Sequence, residues 1–388
     1  MRNDRFSVEG IHYKENKAVR ITIEDGVIQS IEPSTGEVPE IYIAPGLVDL
    51  QVNGYMGIDF NSVELTLDEV KKACLYLAEE GVTTFLPTII TNSFENITRL
   101  ISTISQAREK DELVRGMIPG IHLEGPFLSA EDGPRGAHDL WNIQPPDWGF
   151  FQTLNDSVHG LIKIITLSPE WANASDFIEK AVAHGVLVSI GHTAATSMQI
   201  AEAVKAGARL STHLGNGAHV MLPRHPNYLW DQLAEETLAA TVICDGFHLP
   251  SSVLKVIEKV KGDGMLIISD SVALAGLSPG DYKTAVGGDV TLTEERKLHL
   301  KDEPKLLAGS AQSILWGVNT LTSMRITSLE KAIDKASILP AKLLNLPQKE
   351  GLQVGAPADL IFYHKKNGRL ELVSTMKLGD TAPVPTNQ

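Results

Sequence analysis

Three side chains that could together hold a catalytic metal ion each close a short apolar segment of this 388-residue chain. Glu124 is followed at once by Gly125-Pro126, and His192 and His213 stand in equivalent places further on. The last polar residue of a strand lies at its C-terminal tip, where barrel and open α/β folds place their chemistry. Two imidazoles, one carboxylate and an open position form the ligand set of a catalytic zinc site, whose bound water has a pKa of about 7. One such residue alone would more often be a core or surface side chain, so the hypothesis depends on all three sharing one rim.

Asp270 and His248 could supply the proton transfer and the carbonyl polarisation of a hydrolysis. Asp270 ends the last predicted strand of the series, and a carboxylate there can take a proton from water and deliver it to a leaving amine. The alternative role for Asp270 is a helix N-cap, because Ser269 and Ser271 flank it. His248 follows the preceding strand and could polarise a substrate carbonyl, as oxyanion donors do.

Gln51 and Asn53 bear on the number of metal ions. They are two residues apart, so they face the same side of a strand, and a carboxamide is a poor zinc ligand beside imidazole. The chain contains no His-x-His pair. We therefore expect one divalent ion per subunit, with Zn²⁺ favoured and Fe²⁺, Co²⁺ or Mn²⁺ compatible with the same ligands.

The segments that end in these residues alternate with helical patterns, as in a (β/α)₈ TIM-like barrel. The predicted strands are 47–53, 83–90, 116–124, 161–167, 186–192, 210–214, 239–244 and 265–270. The predicted helices between them include 67–80, 94–110, 174–184, 197–206 and 251–261. A doubly wound sheet would normally carry a Gly-rich phosphate loop after its first strand, and residues 52–57 do not have that form.

Short β-segments precede and follow this series. Residues 5–44 alternate around the turn signal Asp25-Gly26, and residues 351–363 are β-like again. We expect residues 1–44 and 351–388 to form one small discontinuous β-sandwich domain beside a barrel of residues 45–350. An irregular excursion with a β-hairpin is expected over residues 277–305, followed by helices from Ser310 and Ser328.

The overall composition limits the possible partners. Hydrophobic residues make up 43% of the chain and charged residues 21%, as in soluble globular proteins. A formal charge of −14 disfavours nucleic acid and anionic membranes as partners, although one arginine in a pocket could still hold a small anion. The two cysteines have no metal-binding spacing, and the chain shows neither an apolar signal core nor a membrane-length apolar run. We therefore predict a cytoplasmic protein.

These residues lie in sequence strings that resemble the amidohydrolase superfamily, and within it the N-acetylglucosamine-6-phosphate deacetylases. The strings cover nearly the whole chain: Ala44-Pro45-Gly46-Leu47-Val48-Asp49, His122-Leu123-Glu124-Gly125-Pro126-Phe127, Gly191-His192-Thr193, Thr212-His213-Leu214, Asp245-Gly246-Phe247-His248, Ser269-Asp270, Leu307-Ala308-Gly309-Ser310 and Gly355-x-x-Ala358-Asp359-Leu360. The second string, followed by Gly136-Ala137-His138, is specific for the deacetylase branch. The last is shared across the superfamily.

The resemblance implies a role for each matching residue. Glu124, His192 and His213 would bind the metal, Asp270 would be the acid/base and His248 would contact the acetamido carbonyl. Further substrate contacts are implied for Ala137, His138, Asn216, Gly217, Leu307, Ala308 and Gly309, and a bidentate phosphate contact, reaching the neighbouring subunit's site in a homodimer, for Arg224. The implied reaction converts N-acetylglucosamine 6-phosphate, an amino-sugar phosphate, to glucosamine 6-phosphate and acetate in amino-sugar catabolism.

Two loops depart from the family pattern. Residues 216–219 are Asn-Gly-Ala-His and residues 224–227 are Arg-His-Pro-Asn, where the family usually has Asn-Ala-Met and Arg-Glu-Pro-Gly. The 129–135 loop is longer than usual and ends in Arg135 where a lysine is common. His122 and His219 are expected to support neighbours or the core rather than bind metal. The alternatives are a deacetylase for another N-acetyl sugar, such as N-acetylgalactosamine 6-phosphate or an unphosphorylated one, and a catalytically silent ligand-binding barrel.

Overall fold

The computed structural model describes residues 5–383. Residues 1–4 and 384–388, which belong to the two predicted terminal segments, lie outside the described residues. The domain boundaries at residues 44 and 351 stay a prediction. Within the described part of the chain, no helix combines the length and the apolar character that crossing a bilayer requires.

Eight parallel strands form the central sheet, and each pairs with its neighbours in chain order. They are Leu47–Val52, Val82–Ile90, Ile121–Glu124, Ile162–Leu167, Leu187–Ile190, Leu210–Ser211, Ala239–Ile243 and Met265–Ile268, here called barrel strands 1 to 8. The sheet curls back on itself, because Val52 bridges Ser271 and the Asp270 amide donates to the Gln51 carbonyl at 3.0 Å. The predicted barrel is confirmed.

Helices surround the strands, and polar side chains cap the N-termini of several of them. Thr66 and Thr196 each accept a hydrogen bond from the amide of the third helical residue, and the side chain of that third residue accepts one from the threonine amide. Both bonds satisfy amides that have no partner inside the helix. The helices are Leu67–Ala78, Phe94–Lys110, Glu112–Met117, Trp148–Ser157, Ala174–Ala183, Ser197–Ala206, Tyr228–Ala234, Ser251–Lys261, Ile314–Ser323, Leu329–Lys335 and Ile338–Leu343, with 3₁₀ turns at Leu140–Asn142, Gly262–Gly264 and Pro347–Glu350.

One predicted strand was too long at its start. Residues 116–124 were expected to be β, but Glu112–Met117 is a helix capped by the Asp111 side chain, which accepts a hydrogen bond from the Val114 amide at 3.1 Å. Barrel strand 3 therefore has only four residues, from Ile121 to Glu124. Local capping outweighed the apolar pattern here.

Strands from both ends of the chain share one mixed sheet, here called the terminal sheet. Its strands are Arg5–His12, Ala18–Glu24, Val27–Pro33, Tyr42–Pro45, Leu360–Lys366, Arg369–Lys377 and Asp380–Pro383. Tyr42–Pro45 joins the two ends, because it pairs parallel with the first strand and antiparallel with Leu360–Lys366. The prediction that the two ends meet in one β-unit is confirmed.

A buried ion pair ties this sheet to the start of the barrel. Lys377 Nζ donates to Asp359 Oδ2 at 2.7 Å, and both side chains are at least nine-tenths buried. The Asp359 carbonyl accepts from the Gly46 amide at 2.8 Å, directly before barrel strand 1. The C-terminal Ala358-Asp359-Leu360 motif is therefore part of the scaffold.

The excursion after barrel strand 8 has a small sheet of its own. Gly280–Thr284, Gly288–Leu292 and Leu298–Leu300 pair antiparallel, so the predicted hairpin carries a third strand. Val290, Leu292 and Leu298 bury a satellite core beneath it. Two further short strands, Gly54–Tyr55 and Ile58–Asp59, follow barrel strand 1.

Candidate active site

The three candidate metal ligands meet at the C-terminal mouth of the barrel. Glu124 Oε1 lies 3.2 Å from His192 Nε2 and 3.0 Å from His213 Nε2, and the two imidazole nitrogens are 3.1 Å apart. All three residues are more than nine-tenths buried. Ligand atoms about 2.0–2.1 Å from a tetrahedral zinc ion lie about 3.3–3.4 Å from one another, so this triangle fits such an ion closely.

Each ligand sits where the chain leaves its strand. Gly125 follows Glu124 with φ +87°, while His192 and His213 themselves have φ +48° and +28°. Non-glycine residues rarely occupy this left-handed region, and they concentrate at functional sites. The Thr241 hydroxyl accepts a hydrogen bond from the His213 amide at 2.8 Å and holds this turn in place.

Backbone contacts orient the His192 ring. Its Nδ1 lies 2.7 Å from the Pro134 carbonyl oxygen, which can only accept, so Nδ1 carries the proton and the Nε2 lone pair faces the cluster. Gly136 and Gly217 pack against the ring, and a β-carbon on Gly217 would lie 2.7 Å from Nδ1. Gly217 is therefore required both for space beside the candidate metal ligand His192 and for its backbone conformation at φ +57°.

Electrostatics at the cluster favour a bound positive charge. Burial alone would raise the pKa of Glu124, but hydrogen bonds from His192 and His213 and their charge lower it well below its usual value. Burial alone would likewise lower the pKa of His213, yet Glu124 raises it. Two imidazole lone pairs and a carboxylate this close repel one another unless a proton or a cation lies among them, and the donor set suits a divalent metal.

Two amide side chains hold the acidic groups of the site. Gln51 Nε2 donates to Glu124 Oε1 at 3.2 Å, and Asn53 Nδ2 donates to Asp270 Oδ1 at 2.8 Å. The remaining amide oxygens, Gln51 Oε1 and Asn53 Oδ1, are buried without a hydrogen-bond partner among residues 5–383. Both residues thus contact the site through their N–H groups, as amides that orient carboxylates.

Asp270 lies beside this cluster in a strained turn with φ +49°. Burial raises the pKa of Asp270 to about 6, against the opposing charge of His213 and the hydrogen bond from Asn53. A carboxylate with a pKa near neutrality can accept and release a proton within one catalytic cycle. Asp270 begins no helix, so the capping alternative has no structural counterpart.

His248 follows barrel strand 7 and is oriented by Asp245. Asp245 Oδ2 lies 2.6 Å from His248 Nδ1, and the side chain of His248 is 11% exposed. The charge of His248 acts on Asp270, which places the two residues in one electrostatic environment. Sequence reasoning found His248 but missed Asp245, although their spacing within Asp245-Gly246-Phe247-His248 is typical of a side chain that folds back on its own turn.

The predicted substrate contacts lie in three places. Ala137 is exposed, whereas His138 is buried with its Nε2 3.3 Å from His192 Nε2 and its Nδ1 3.0 Å from Thr91 Oγ1. Asn216 and Gly217 border the cluster directly, since Asn216 Nδ2 donates to the His213 carbonyl at 3.3 Å. Leu307, Ala308 and Gly309 lie half-buried on the segment that pairs with the turn after Asp270.

Arg224 does not reach the cluster of its own chain through any hydrogen bond or ion pair among residues 5–383. Its side chain is exposed on the loop that ends at Asn227. A cavity of about 320 Å³ lies under this loop, lined by residues that include Glu131, Thr196, His219 and Tyr228. The cavity contains none of the three candidate metal ligands.

The two loops that depart from the family pattern contact each other. His219 Nε2 lies 2.9 Å from Glu131 Oε2, and His219 Nδ1 lies 3.0 Å from the Tyr228 hydroxyl. Arg135 bonds Asp132 and the His138 carbonyl. These contacts link the longer 129–135 loop to the 216–227 loop, above the His192 ring.

His122 supports the barrel interior, as expected. Its Nδ1 donates to the Leu50 carbonyl at 3.1 Å, so its Nε2 accepts from Thr166 Oγ1 at 2.7 Å. Thr166 in turn contacts the Thr212 hydroxyl at 2.7 Å, next to His213. Burial lowers the pKa of His122 to about 4, which keeps the ring neutral.

Comparison with known proteins relates this architecture to one family. The model of the amidohydrolase family matches residues 42–382. The N-acetylglucosamine-6-phosphate deacetylase of Bacillus subtilis (strain 168) is 31% identical over 385 residues, which cover 95% of this chain and 94% of that protein. The Homo sapiens deacetylase of the same name is 30% identical, with 82% of this chain and 78% of that protein covered.

Solved structures show the same fold. The crystal structure of N-acetylglucosamine-6-phosphate deacetylase from Thermotoga maritima superimposes with a TM-score of 0.82 at 25% identity, covering 96% of this chain and 98% of that one. A mutant of the Mycobacterium smegmatis deacetylase in complex with N-acetyl-D-glucosamine-6-phosphate superimposes with a TM-score of 0.85 at 24% identity, covering 97% and 99%.

Proposed function

Since this chain belongs to the amidohydrolase family, and within it to the N-acetylglucosamine-6-phosphate deacetylases, we propose that it removes acetate from N-acetylglucosamine 6-phosphate. Water adds to the acetamide carbonyl carbon, the C–N bond breaks, and acetate and glucosamine 6-phosphate leave. The observation that chiefly supports this proposal is the triangle of Glu124, His192 and His213 with Asp270 beside it at the barrel mouth. The free, buried cysteines Cys74 and Cys244 agree with a cytoplasmic setting.

Glu124, His192 and His213 would hold one divalent metal ion. When bound, such an ion lowers the pKa of a coordinated water to about 7 and polarises a carbonyl oxygen. Zinc is the natural choice for two imidazoles and a carboxylate, although iron, cobalt and manganese accept the same ligands. Gln51 and Asn53 donate hydrogen bonds through their N–H groups to Glu124 and Asp270. They therefore orient these carboxylates and do not serve as ligands of a second ion, which favours a single ion.

Asp270 would act first as base and then as acid. Its carboxylate takes a proton from the attacking water and delivers it to the amine as the C–N bond breaks. The hydrogen bond from Asn53 fixes Oδ1, so Oδ2 is the oxygen left to exchange the proton. His248 would donate a hydrogen bond to the acetamide oxygen, where negative charge develops as water adds.

Arg224 would bind the sugar phosphate of a neighbouring subunit in a homodimer. Its exposed guanidinium lies on the 216–227 loop, which leaves it accessible to a neighbouring subunit. A guanidinium matches the geometry of a phosphate through two parallel hydrogen bonds. Ala137, His138, Asn216, Gly217 and the 307–309 segment would contact the rest of the sugar.

An acetate-release assay tests the function. We expect release from N-acetylglucosamine 6-phosphate that stops with a chelator and returns when Zn²⁺ is added. N-Acetylglucosamine and N-acetylgalactosamine 6-phosphate are run beside it, since faster release from either would move the substrate assignment to the other sugar. A metal-loaded protein that releases no acetate from any of the three would instead favour a silent ligand-binding barrel.

Arg224→Ala separates recognition of the phosphate from the chemistry. We expect the variant to raise KM for the phosphorylated sugar while leaving turnover of unphosphorylated N-acetylglucosamine unchanged. Arg99→Ala, on the exposed face of the Phe94–Lys110 helix, is the matched control. If Arg224→Ala harms both sugars equally, Arg224 does not bind the phosphate.

A further inference from the structure

Asp245 makes an unusually complete set of contacts for a residue outside the predicted site. It follows barrel strand 7 and is 6% exposed. Its Oδ1 accepts hydrogen bonds from the backbone amides of Phe247 at 2.8 Å and His248 at 2.9 Å. Its Oδ2 lies 2.6 Å from His248 Nδ1. The Trp316 indole donates to the Asp245 carbonyl at 3.1 Å, which fixes the backbone from behind. Among residues 5–383, the side chain that pairs with this carboxylate is His248.

We propose that Asp245 is a positioning residue that sets both the orientation and the protonation pattern of His248. An ionised carboxylate only accepts hydrogen bonds, so the His248 nitrogen that faces it must carry a proton. The other nitrogen, Nε2, makes no hydrogen bond with any described residue and remains available to substrate. The inference rests on the proposed function, because the role of His248 is defined by that reaction.

Because Nδ1 of His248 faces Asp245, His248 can polarise a carbonyl only through Nε2, and only if Nε2 carries a proton. A neutral ring protonated on Nδ1 has a bare Nε2, which accepts hydrogen bonds and would repel the acetamide oxygen. Only the doubly protonated ring can donate from Nε2 while Nδ1 donates to Asp245. The buried carboxylate offsets the positive charge of that ring, as an aspartate does behind a catalytic histidine.

The ionisation of Asp245 agrees with this assignment. Burial alone would raise the pKa of Asp245, but hydrogen bonds from His248 and the backbone, together with the charge of His248, lower it. As the acetamide oxygen gains negative charge, the charged ring stabilises it by a hydrogen bond, and no proton leaves His248. Proton transfer stays with Asp270, so the two aspartates have separate tasks.

A double-mutant cycle tests whether Asp245 acts through His248. Asp245→Asn keeps the bonds to the two backbone amides through its carbonyl oxygen, which places its NH₂ group, a donor, against Nδ1. We expect kcat to fall by about 10²–10³-fold, the loss typical of one oxyanion donor, with metal content unchanged. In the His248→Gln background the same substitution should change kcat by less than about twofold, because residues that act as one unit are not additive.

A purely structural role predicts the opposite pattern. Asp245→Asn would then lower kcat by the same factor in both backgrounds, and that result overturns the inference. Asp147→Asn is the control, since the Asp147 carboxylate also accepts a backbone amide, from Phe150 at 2.9 Å, but lies at an exposed helix start.

Nitrogen-15 NMR of the wild-type histidine rings provides a readout that needs no active variant. We expect His248, assigned by its loss in His248→Gln, to show a protonated Nδ1, the nitrogen that faces Asp245. A proton-free Nδ1 in the wild type would contradict the proposal. If the wild type releases acetate and Asp245→Asn matches it, this inference alone fails; if the wild type releases none, the proposed function fails, while the NMR result still tests the Asp245 contact.

Discussion

Replacing Asp270 by asparagine tests the proton transfer with little change in shape. Asp270 Oδ1 accepts a hydrogen bond from Asn53 Nδ2 at 2.8 Å. An asparagine can keep that bond only by turning its carbonyl oxygen toward Asn53, which places its own NH₂ group where Oδ2 stood. A proton donor then faces the water from which a proton has to be removed.

The expected loss follows from general acid–base chemistry. Positioned proton transfer contributes about 10²–10⁴-fold to rate, which corresponds to about 2.7–5.5 kcal/mol of activation free energy at about 1.36 kcal/mol per factor of ten. Stability should not fall with it, because burial already raises the pKa of Asp270 to about 6 and a neutral amide avoids the cost of a buried charge.

The assay is kcat for acetate release from N-acetylglucosamine 6-phosphate, measured at saturating substrate on samples of equal metal content. Asp281→Asn, on the exposed sheet of residues 280–300, is the control and should match the wild type. Asp270→Asn with full metal content and a kcat within about tenfold of wild type would refute the acid/base assignment.

Three further outcomes are expected. Adding Zn²⁺ at about 100 times its Kd should stabilise the chelated wild type by about 2.7 kcal/mol, and Glu124→Gln should remove most of this gain, as followed by thermal unfolding. Lys335→Met should cost about 3–5 kcal/mol of unfolding free energy in urea, because it breaks a buried pair with Glu258 at 2.9 Å. Lys301→Met, which breaks an exposed pair with Asp281, should leave the unfolding free energy close to that of the wild type. Burial raises the pKa of Asp49 to about 7, so the folded state binds the Asp49 proton more tightly than the unfolded state does. This tighter proton binding stabilises the fold fully below about pH 4, and the stabilisation is lost as the pH rises to about 7. Asp49→Asn should therefore lose less stability than wild type between pH 4 and pH 8, and an equal loss would contradict the assignment.

Most of the barrel could be predicted from the sequence because its strands are buried on both faces. Such strands are apolar segments, as in Met265–Ile268, and their boundaries were placed within a few residues. The start of barrel strand 3 was misplaced because Asp111 caps a short helix, a local signal that an apolar pattern hides.

The site was predictable only where strand order determines it. Glu124, His192 and His213 end strands of one parallel sheet, and the same rim must then carry all three. The spacing of Asp245 and His248 indicates a turn closed by the Asp245 side chain, but it does not reveal that the second carboxylate oxygen contacts the His248 ring. The contact between Glu131 and His219 joins two loops that are far apart in sequence, so no local pattern predicts it.

Titrating metal back into the chelated protein tests the central claim most directly, with bound metal and acetate release followed on the same samples. If one ion held by Glu124, His192 and His213 supports the reaction, acetate release should rise in proportion to bound Zn²⁺ and reach its maximum at one ion per chain, and Glu124→Gln should show neither tight binding nor release. Maximal release by metal-free protein, or a maximum reached only at two ions per chain, would contradict the account.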